Sequence, residues 1–211
     1  MLQLAEISPM LLDERPLPWG DPAWIYELKF DGYRVLAEFG SGAAQLRTRR
    51  GADCTAWFPE VAQSLAELKG GPHICDGEVC VLDEHGRSDF NRLQDRARRR
   101  GWYKGADSVT FCVFDLLVEN GKDLTGLPLL KRKARLMKRL PGALPSILPV
   151  SYFPADEARQ IFDVAVHQLK LEGLVAKRLD SVYRPGVRSS DWVKVKRKGA
   201  VPAERFKRSP R

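Results

Sequence analysis

Residues 24–30 read Trp-Ile-Tyr-Glu-Leu-Lys-Phe, and in an extended chain that alternation puts Glu27 and Lys29 on one face and Tyr26 and Leu28 on the other. One face belongs in a core, and the other must hold a carboxylate and an ammonium side by side. Asp31-Gly32 turns the chain, and residues 33–39 read as the returning strand of a hairpin. A lone lysine beside such a turn is most often a solvated edge residue. The stretches downstream speak against that plain reading.

Residues 44–48 make a third short strand. Phe58, Val61, Leu65 and Leu68 recur at helical spacing, and Gly70-Gly71 ends that helix. Residues 73–82 form a strand interrupted by Asp76-Gly77-Glu78, an unusual place for two carboxylates that share a face. Ser88 is placed to cap a helix that starts at Asp89 and turns Phe90 and Leu93 inward. An apolar strand follows at 109–118, then a basic helix at 129–140, a Pro-rich connector at 141–149 and a strand at 150–153. Ala158, Ile161, Phe162, Ala165, Val166 and Leu169 mark an amphipathic helix. Two last strands, 172–178 and 191–197, flank a loop at 181–190. Strands and helices without a regular βαβ rhythm predict an α+β fold with antiparallel sheets. A chain of 211 residues is long enough for one good core. The expectation is one body at 23–198, with an irregular lead-in at 1–22 and a basic tail at 199–211.

The four cysteines (Cys54, Cys75, Cys80, Cys112) form no CxxC pair and have no histidine at zinc spacing, so they read as reduced core thiols. No apolar stretch reaches the ~18 residues a membrane span requires, and the N-terminus lacks a leader pattern. A soluble cytoplasmic protein without a membrane partner is expected. The net charge of +8 is concentrated: +7 over residues 194–211, +5 over 92–104 and +6 over 131–139, which leaves the remainder net acidic. Basic stretches on an acidic body point to a polyanion such as nucleic acid. For 131–139 a solvated helix face is an equal reading.

Neither GxxxxGK[ST] nor GxGxxG occurs, so side chains must hold the phosphates of any nucleotide. The last strand can supply them, since alternation places Trp192, Lys194 and Lys196 on one face, with the two lysines ~7 Å apart. A lysine becomes a nucleophile only as the free amine, so its site must favour that form. Arg34, Arg49, Lys194, Lys196 and a bound divalent metal are the cations available for this. Glu78 and Glu172 are hard oxygen donors suited to Mg²⁺.

Several stretches stand in a telling order. Lys29-Phe30-Asp31-Gly32-Tyr33-Arg34 looks like motif I of the covalent nucleotidyltransferases, and Thr48-Arg49-Arg50-Gly51 like the segment after it. Asp76-Gly77-Glu78 matches motif III, and Val113-Phe114-Asp115-Leu116-Leu117 matches motif IIIa. Glu172-Gly173-Leu174-Val175-Ala176-Lys177 matches motif IV, and Asp191-Trp192-Val193-Lys194-Val195-Lys196 motif V. Together they resemble the adenylation domain of ATP-dependent DNA ligases, in particular the bacterial ligase D type. Nearly the whole chain is covered.

The resemblance implies two antiparallel sheets flanked by helices, the ATP-grasp-like fold of ligase adenylation domains. It implies that Lys29 attacks the α-phosphate of ATP to form lysyl-AMP, that AMP passes to a DNA 5′-phosphate, and that a 3′-hydroxyl then seals the nick. Phe114 would stack on adenine with Glu27 beside it, Glu78 would hold the ribose, and Arg34 and Arg49 would contact sugar or phosphate. Lys194 and Lys196 would take the α-phosphate, while Glu78 and Glu172 would serve Mg²⁺ or Mn²⁺. Lys177 is set apart, because alternation points it away from Glu172. Nicked or broken duplex DNA in a bacterial nucleoid is the implied substrate, with Arg98, Arg99 and Arg100 along it.

Family members continue into an OB-fold, whereas about fifteen residues follow motif V here. The tail Arg205-Phe206-Lys207-Arg208 is no substitute, so an OB-fold or an end-joining partner in trans is expected. Lys170 stands where a glycine often ends the preceding helix. Two rival readings share these residues: an RNA ligase or capping guanylyltransferase, and a nucleotide- or DNA-binding module without turnover.

Overall fold

The computed structural model describes residues 2–140 and 144–200, so most of the basic tail and the first residues of the Pro-rich connector lie outside the described residues. The alternating stretches resolve into two sheets. The first contains β1 (Leu11–Asp13), β2 (Trp24–Lys29), β9 (Tyr152–Phe153), β10 (Gly173–Arg178) and β11 (Arg188–Lys196), in the order β1-β11-β10-β2-β9. The second contains β3 (Tyr33–Gly40), β4 (Ala43–Thr48), β5 (His73–Cys80), β6 (Thr110–Glu119) and β7 (Lys122–Asp123), in the order β4-β3-β5-β6-β7. A short β8 (Ile147–Pro149) runs parallel to β6, and β1 runs parallel to β11; the other neighbours are antiparallel. The helices are α1 (Pro59–Ala66), α2 (Phe90–Arg98), α3 (Leu129–Arg139) and α4 (Ala155–Gln160), the last continuing as a π-helical stretch, Ile161–Val166.

The expected hairpin at 24–39 does not form. Strand β2 spends its two edges on β10 and β9, while β3 pairs with β4 and β5, so Asp31-Gly32 carries the chain from one sheet to the other. Packing demands the glycine there: a Cβ on Gly32 would lie 2.1 Å from the Val79 carbonyl oxygen and 2.7 Å from Cys80 Sγ.

Other expectations shift for equally local reasons. The lead-in is not wholly irregular, because β1 adds a strand to the first sheet. The strand expected at 150–153 shortens to β9 on the first sheet, and the connector expected at 141–149 ends in a strand of its own, β8, on the second. Asp89, rather than Ser88, caps α2 by accepting the Arg92 N–H, while the Ser88 hydroxyl accepts the Asp31 N–H. The π-helical stretch winds more residues into each turn than an α-helix, so Val166 stays buried while Leu169 is left exposed.

One core lies where α1 and α2 pack on the second sheet, around Val35, Phe58, Leu65, Leu93 and Phe111. Another lies where α4 covers the outer face of the first sheet, around Tyr26, Ala158, Leu174 and Val193. Between the sheets, Ile25 and Trp192 of the first meet Leu36, Ile74 and Leu117 of the second. That apolar seam holds the sheets face to face.

The basic helix α3 is not solvated along its whole length, and part of its charge is spent inside the fold. Arg132 and Lys133 are buried, and Arg132 grips buried Asp115 through two hydrogen bonds of 2.9 and 2.8 Å. Arg135 and Arg139 share Glu119. Lys131 and Lys138 are left on the exposed side. All four cysteines are free and buried, and no described helix is long and apolar enough to cross a membrane.

Candidate active site

Register places the charged residues of the first sheet in rows. Gly173 stands between Lys29 and Lys196, Val175 between Glu27 and Lys194, and Lys177 between Ile25 and Trp192. Successive residues of a strand face opposite ways, so these rows share the face turned toward the second sheet. Gly173 is obligatory in the first row, since a Cβ there would lie 2.0 Å from the Val195 carbonyl oxygen. From the second sheet come Arg34 on β3, Glu78 directly beside it on β5, and Phe114 on β6.

Two adjoining hollows result, sharing Leu12, Lys29, Arg34 and Glu78. The first is mainly apolar, walled by Phe114, Val175 and Trp192, with Glu27 and Lys177 at its base. The second is lined by six cations: Lys29, Arg34, Arg49, Arg188, Lys194 and Lys196. One end can take a flat apolar ring, and the other a chain of anionic groups.

Lys29 sits where the hollows join. Its ammonium is 2.7 Å from Glu172 Oε2. The other oxygen of the same carboxylate lies 3.1 Å from Lys196 Nζ, yet has no hydrogen-bond partner of good geometry among the described residues. Glu172 therefore spans two lysines from different strands. The side chain reaches them because the chain bends into β10 just after Lys170, which takes a left-handed φ of 53°; the glycine position expected there is filled by a lysine in a glycine-like conformation.

Glu78 accepts the Gly32 N–H at 3.2 Å. Burial pushes its carboxyl up to about 7, with Arg34 and Lys29 pulling it down and the charge of Glu172 adding to the rise. Near neutrality the group is divided between its protonated and ionised forms, and a further cation would draw it to the ionised one. Arg34 is fixed from behind, donating to buried Asp76, which also accepts the Tyr183 hydroxyl at 2.6 Å. Its guanidinium then lies 4.4 Å from the centre of the Phe114 ring, within the range of a cation–π contact. Asp76 thus holds Arg34 in place, while Glu78 faces the hollow.

Glu27 carries two lysines. Lys133, from α3, meets Oε1 at 2.7 Å and also donates to the Val150 carbonyl at 2.7 Å. Lys177 meets Oε2 at 2.6 Å but outside hydrogen-bonding angles. Its ammonium lies 4.3 and 4.1 Å from the ring centres of Phe114 and Trp192. Burial brings Lys177 down to about 8, with Glu27 opposing and Lys133 adding to the fall. A buried ammonium with unspent N–H bonds at the wall of a hollow is poised to donate to a ligand.

The cleft gathers Lys29, Glu27, Arg34, Arg49, Glu78, Phe114, Glu172, Lys194 and Lys196. It leaves out Arg98, Arg99 and Arg100, which are exposed at the far end of α2. Sequence reading passed over Arg188 as part of a loop, set Lys177 apart, and assigned Lys133 to a surface helix. For Lys177 the signal was present, because its parity matches Val175 rather than Glu172. For Lys133 no local signal existed, since its partner stands 106 residues away.

The fold and cleft define a two-sheet domain with a lysine at the junction of a ring slot and a cationic groove. The profile described as the ATP dependent DNA ligase domain matches residues 9–196, and the chain belongs to that family. It is 40% identical over 193 residues to the multifunctional non-homologous end joining protein LigD of Pseudomonas aeruginosa, covering 90% of this chain and 22% of that protein. It also resembles the crystal structure of the ligase domain from M. tuberculosis LigD, with a TM-score of 0.77 and 34% identity over 92% of this chain and 61% of that one. A mycobacterial DNA ligase D complexed with ATP and MES gives a TM-score of 0.73 and 32% identity, covering 92% of this chain and 62% of the other. The chain thus spans about a fifth to a third of the length of the curated LigD relatives it matches.

Proposed function

We propose that this chain is the adenylation domain of an ATP-dependent DNA ligase acting in DNA repair. The observation that carries the reading is the place of Lys29, between a slot for a ring and a groove of cations. Lys29 Nζ would attack the α-phosphorus, forming a P–N bond as the P–O bond to pyrophosphate breaks and the amine gives up its proton. The resulting lysyl-AMP would pass AMP to a DNA 5′-phosphate. A 3′-hydroxyl would then displace AMP as the phosphodiester forms.

Phe114 and Val175 bracket the slot where adenine would lie. The pairing at its base favours adenine over guanine: Glu27 can accept from the exocyclic amine of adenine, and Lys177 can donate to its ring nitrogen. Guanine offers the reverse, a carbonyl and an N–H, which leaves buried groups unpaired at the expense of affinity. Glu78 faces the ribose, Arg34 and Arg49 the sugar or phosphates, and Lys194, Lys196 and Arg188 the phosphate chain. Glu14, exposed and 2.6 Å from Lys194, would be displaced by phosphate.

The residues fit Mg²⁺ or Mn²⁺. Glu78 and Glu172 are hard oxygen donors beside the attacking amine, the first with a carboxyl that burial raises to about 7 and a cation would draw to its ionised form, the second with a buried oxygen that accepts no hydrogen bond among the described residues. Held by Glu78 and Glu172, such an ion would neutralise charge at the attacked phosphate. Nicked or broken duplex DNA is the proposed substrate, with Arg98, Arg99 and Arg100 on its phosphates. An OB-fold or end-joining partner would close the site, in the bacterial cytoplasm beside the nucleoid. The body at 23–198, with 1–22 leading in and 199–211 trailing, is the proposed domain plan.

Intact mass after incubation with ATP and Mg²⁺ tests this. One added AMP is expected on the wild type and none on Lys29→Ala, with GTP giving far less adduct. An adduct that survives Lys29→Ala, or ATP binding without any adduct even when an OB-fold domain is added in trans, would refute the assignment of Lys29.

A further inference from the structure

Helix α2 begins at a hollow beside the motif I turn, where Asp31, Asp89, Phe90 and Asn91 form part of the wall. Its nine residues carry the chain about 13 Å onward. At the far end stands a surface that the cleft does not use. Trp102 is 66% exposed, more than any other large apolar side chain among the described residues, and within that set no ring or cation stacks on it.

The residues around Trp102 are held in place. Arg99 lies over the Tyr103 ring at 4.0 Å, and Arg100, with a left-handed φ of 51°, lies over Trp57 at 5.6 Å. Beneath them Arg96 is buried, donating to the Gly101 carbonyl and to Glu60 at 3.1 Å. A buried guanidinium tied at both ends anchors the loop from below. Arg98, 3.2 Å from Asp95, and Lys104 are exposed within four residues of Trp102 in the chain. An exposed indole among fixed cations has the features of a single-strand binding surface, where ring faces take bases and cations take phosphates. A surface already ordered loses little entropy on binding. Duplex DNA hides its base faces, so the indole can meet one only where a strand is unpaired.

We infer that Trp102 is a stacking platform for an unpaired base of bound DNA, with the strand's phosphates on Arg98, Arg99, Arg100 and Lys104. This rests on the DNA ligase reading and adds a preference for ends carrying an overhang. The test is fluorescence anisotropy of the full chain at one salt concentration, with two 5′-phosphorylated duplexes, one blunt and one bearing a short thymidine overhang. Wild type should bind the overhang duplex more tightly. Trp102→Ala should lose about fivefold or more on that duplex, from the worth of one base–aromatic stack, and stay within about twofold on the blunt one. Trp102→Phe should keep most of the preference. Equal losses on both duplexes, or no loss on either, overturn the inference. So does a change in self-association or protein binding without a change in DNA affinity, which would mark a protein-docking surface. If wild type binds neither duplex, the inference falls, and the lysyl-AMP mass assay, which Trp102→Ala should pass unchanged, reports separately whether the adenylation reading stands.

Discussion

Replacing Glu78 by glutamine should change how stability depends on pH. Its carboxyl titrates at about 7 in the folded protein against an ordinary 4.5. Between those values the native state holds a proton that the unfolded chain has released, so stability from this group is complete below 4.5 and is lost as pH rises through 7. The group then contributes about 2.5 kcal/mol at pH 5 and almost nothing at pH 8, taking 1.36 kcal/mol per unit. Glutamine preserves the shape and the contact with Gly32 but has no proton to lose. The gap in unfolding free energy between Glu78→Gln and wild type should therefore move by about 2.5 kcal/mol in favour of the variant from pH 5 to pH 8. For a chain of this size that corresponds to a relative shift in Tm of roughly 5–10 °C. Urea titrations of both proteins at the two pH values, without nucleotide or metal, measure the gap, and other titrating groups cancel in the difference. A gap that stays constant within about 0.5 kcal/mol would refute the claim that burial holds Glu78 protonated.

Two further substitutions probe the frame of the cleft. Arg132→Met strands the buried Asp115 carboxylate and should cost about 3–5 kcal/mol in urea unfolding. Adding Asp115→Leu should restore part of that, since the Ser181 carbonyl also loses its donor, and a loss below about 1 kcal/mol for the single variant would show the pair to be dispensable. Lys170→Gly relieves a left-handed φ of 53° and should raise stability by about 0.5–1 kcal/mol, read as a higher Tm; a lower Tm would show that the bend before Glu172 is not strained.

Much of the site was legible because it rests on local rules. Alternation alone put Glu27 with Lys29, Asp76 with Glu78, and Trp192 with Lys194 and Lys196, and each group shares a face in the structure. The same rule set Lys177 apart from Glu172, yet both side chains reach the cleft, Glu172 because the chain bends into β10, and the role of Lys177 at the base of the ring slot emerges only when β10 is laid between β2 and β11. The hairpin at 24–39 failed because an Asp-Gly turn specifies a change of direction and not the strand that pairs next. Glycine at position 32 is required by contact with Val79 and Cys80, residues that the turn signal does not include.

The run of six basic residues at 131–139 shows the limit most clearly. Composition offered a DNA-binding or solvated face, but Arg132 and Lys133 turn inward to Asp115 and Glu27, and Lys133 helps set the base slot. By itself the sequence determined which side chains stand together on each strand, because backbone geometry repeats every two residues, and the motif order carried the family. Only the tertiary structure decided which strands became neighbours, which charges were neutralised inside and which stayed free for a ligand. Those outcomes depend on partners scores of residues away, and a charged side chain's energy is set by the dielectric and counter-charge around it rather than by its neighbours in the chain.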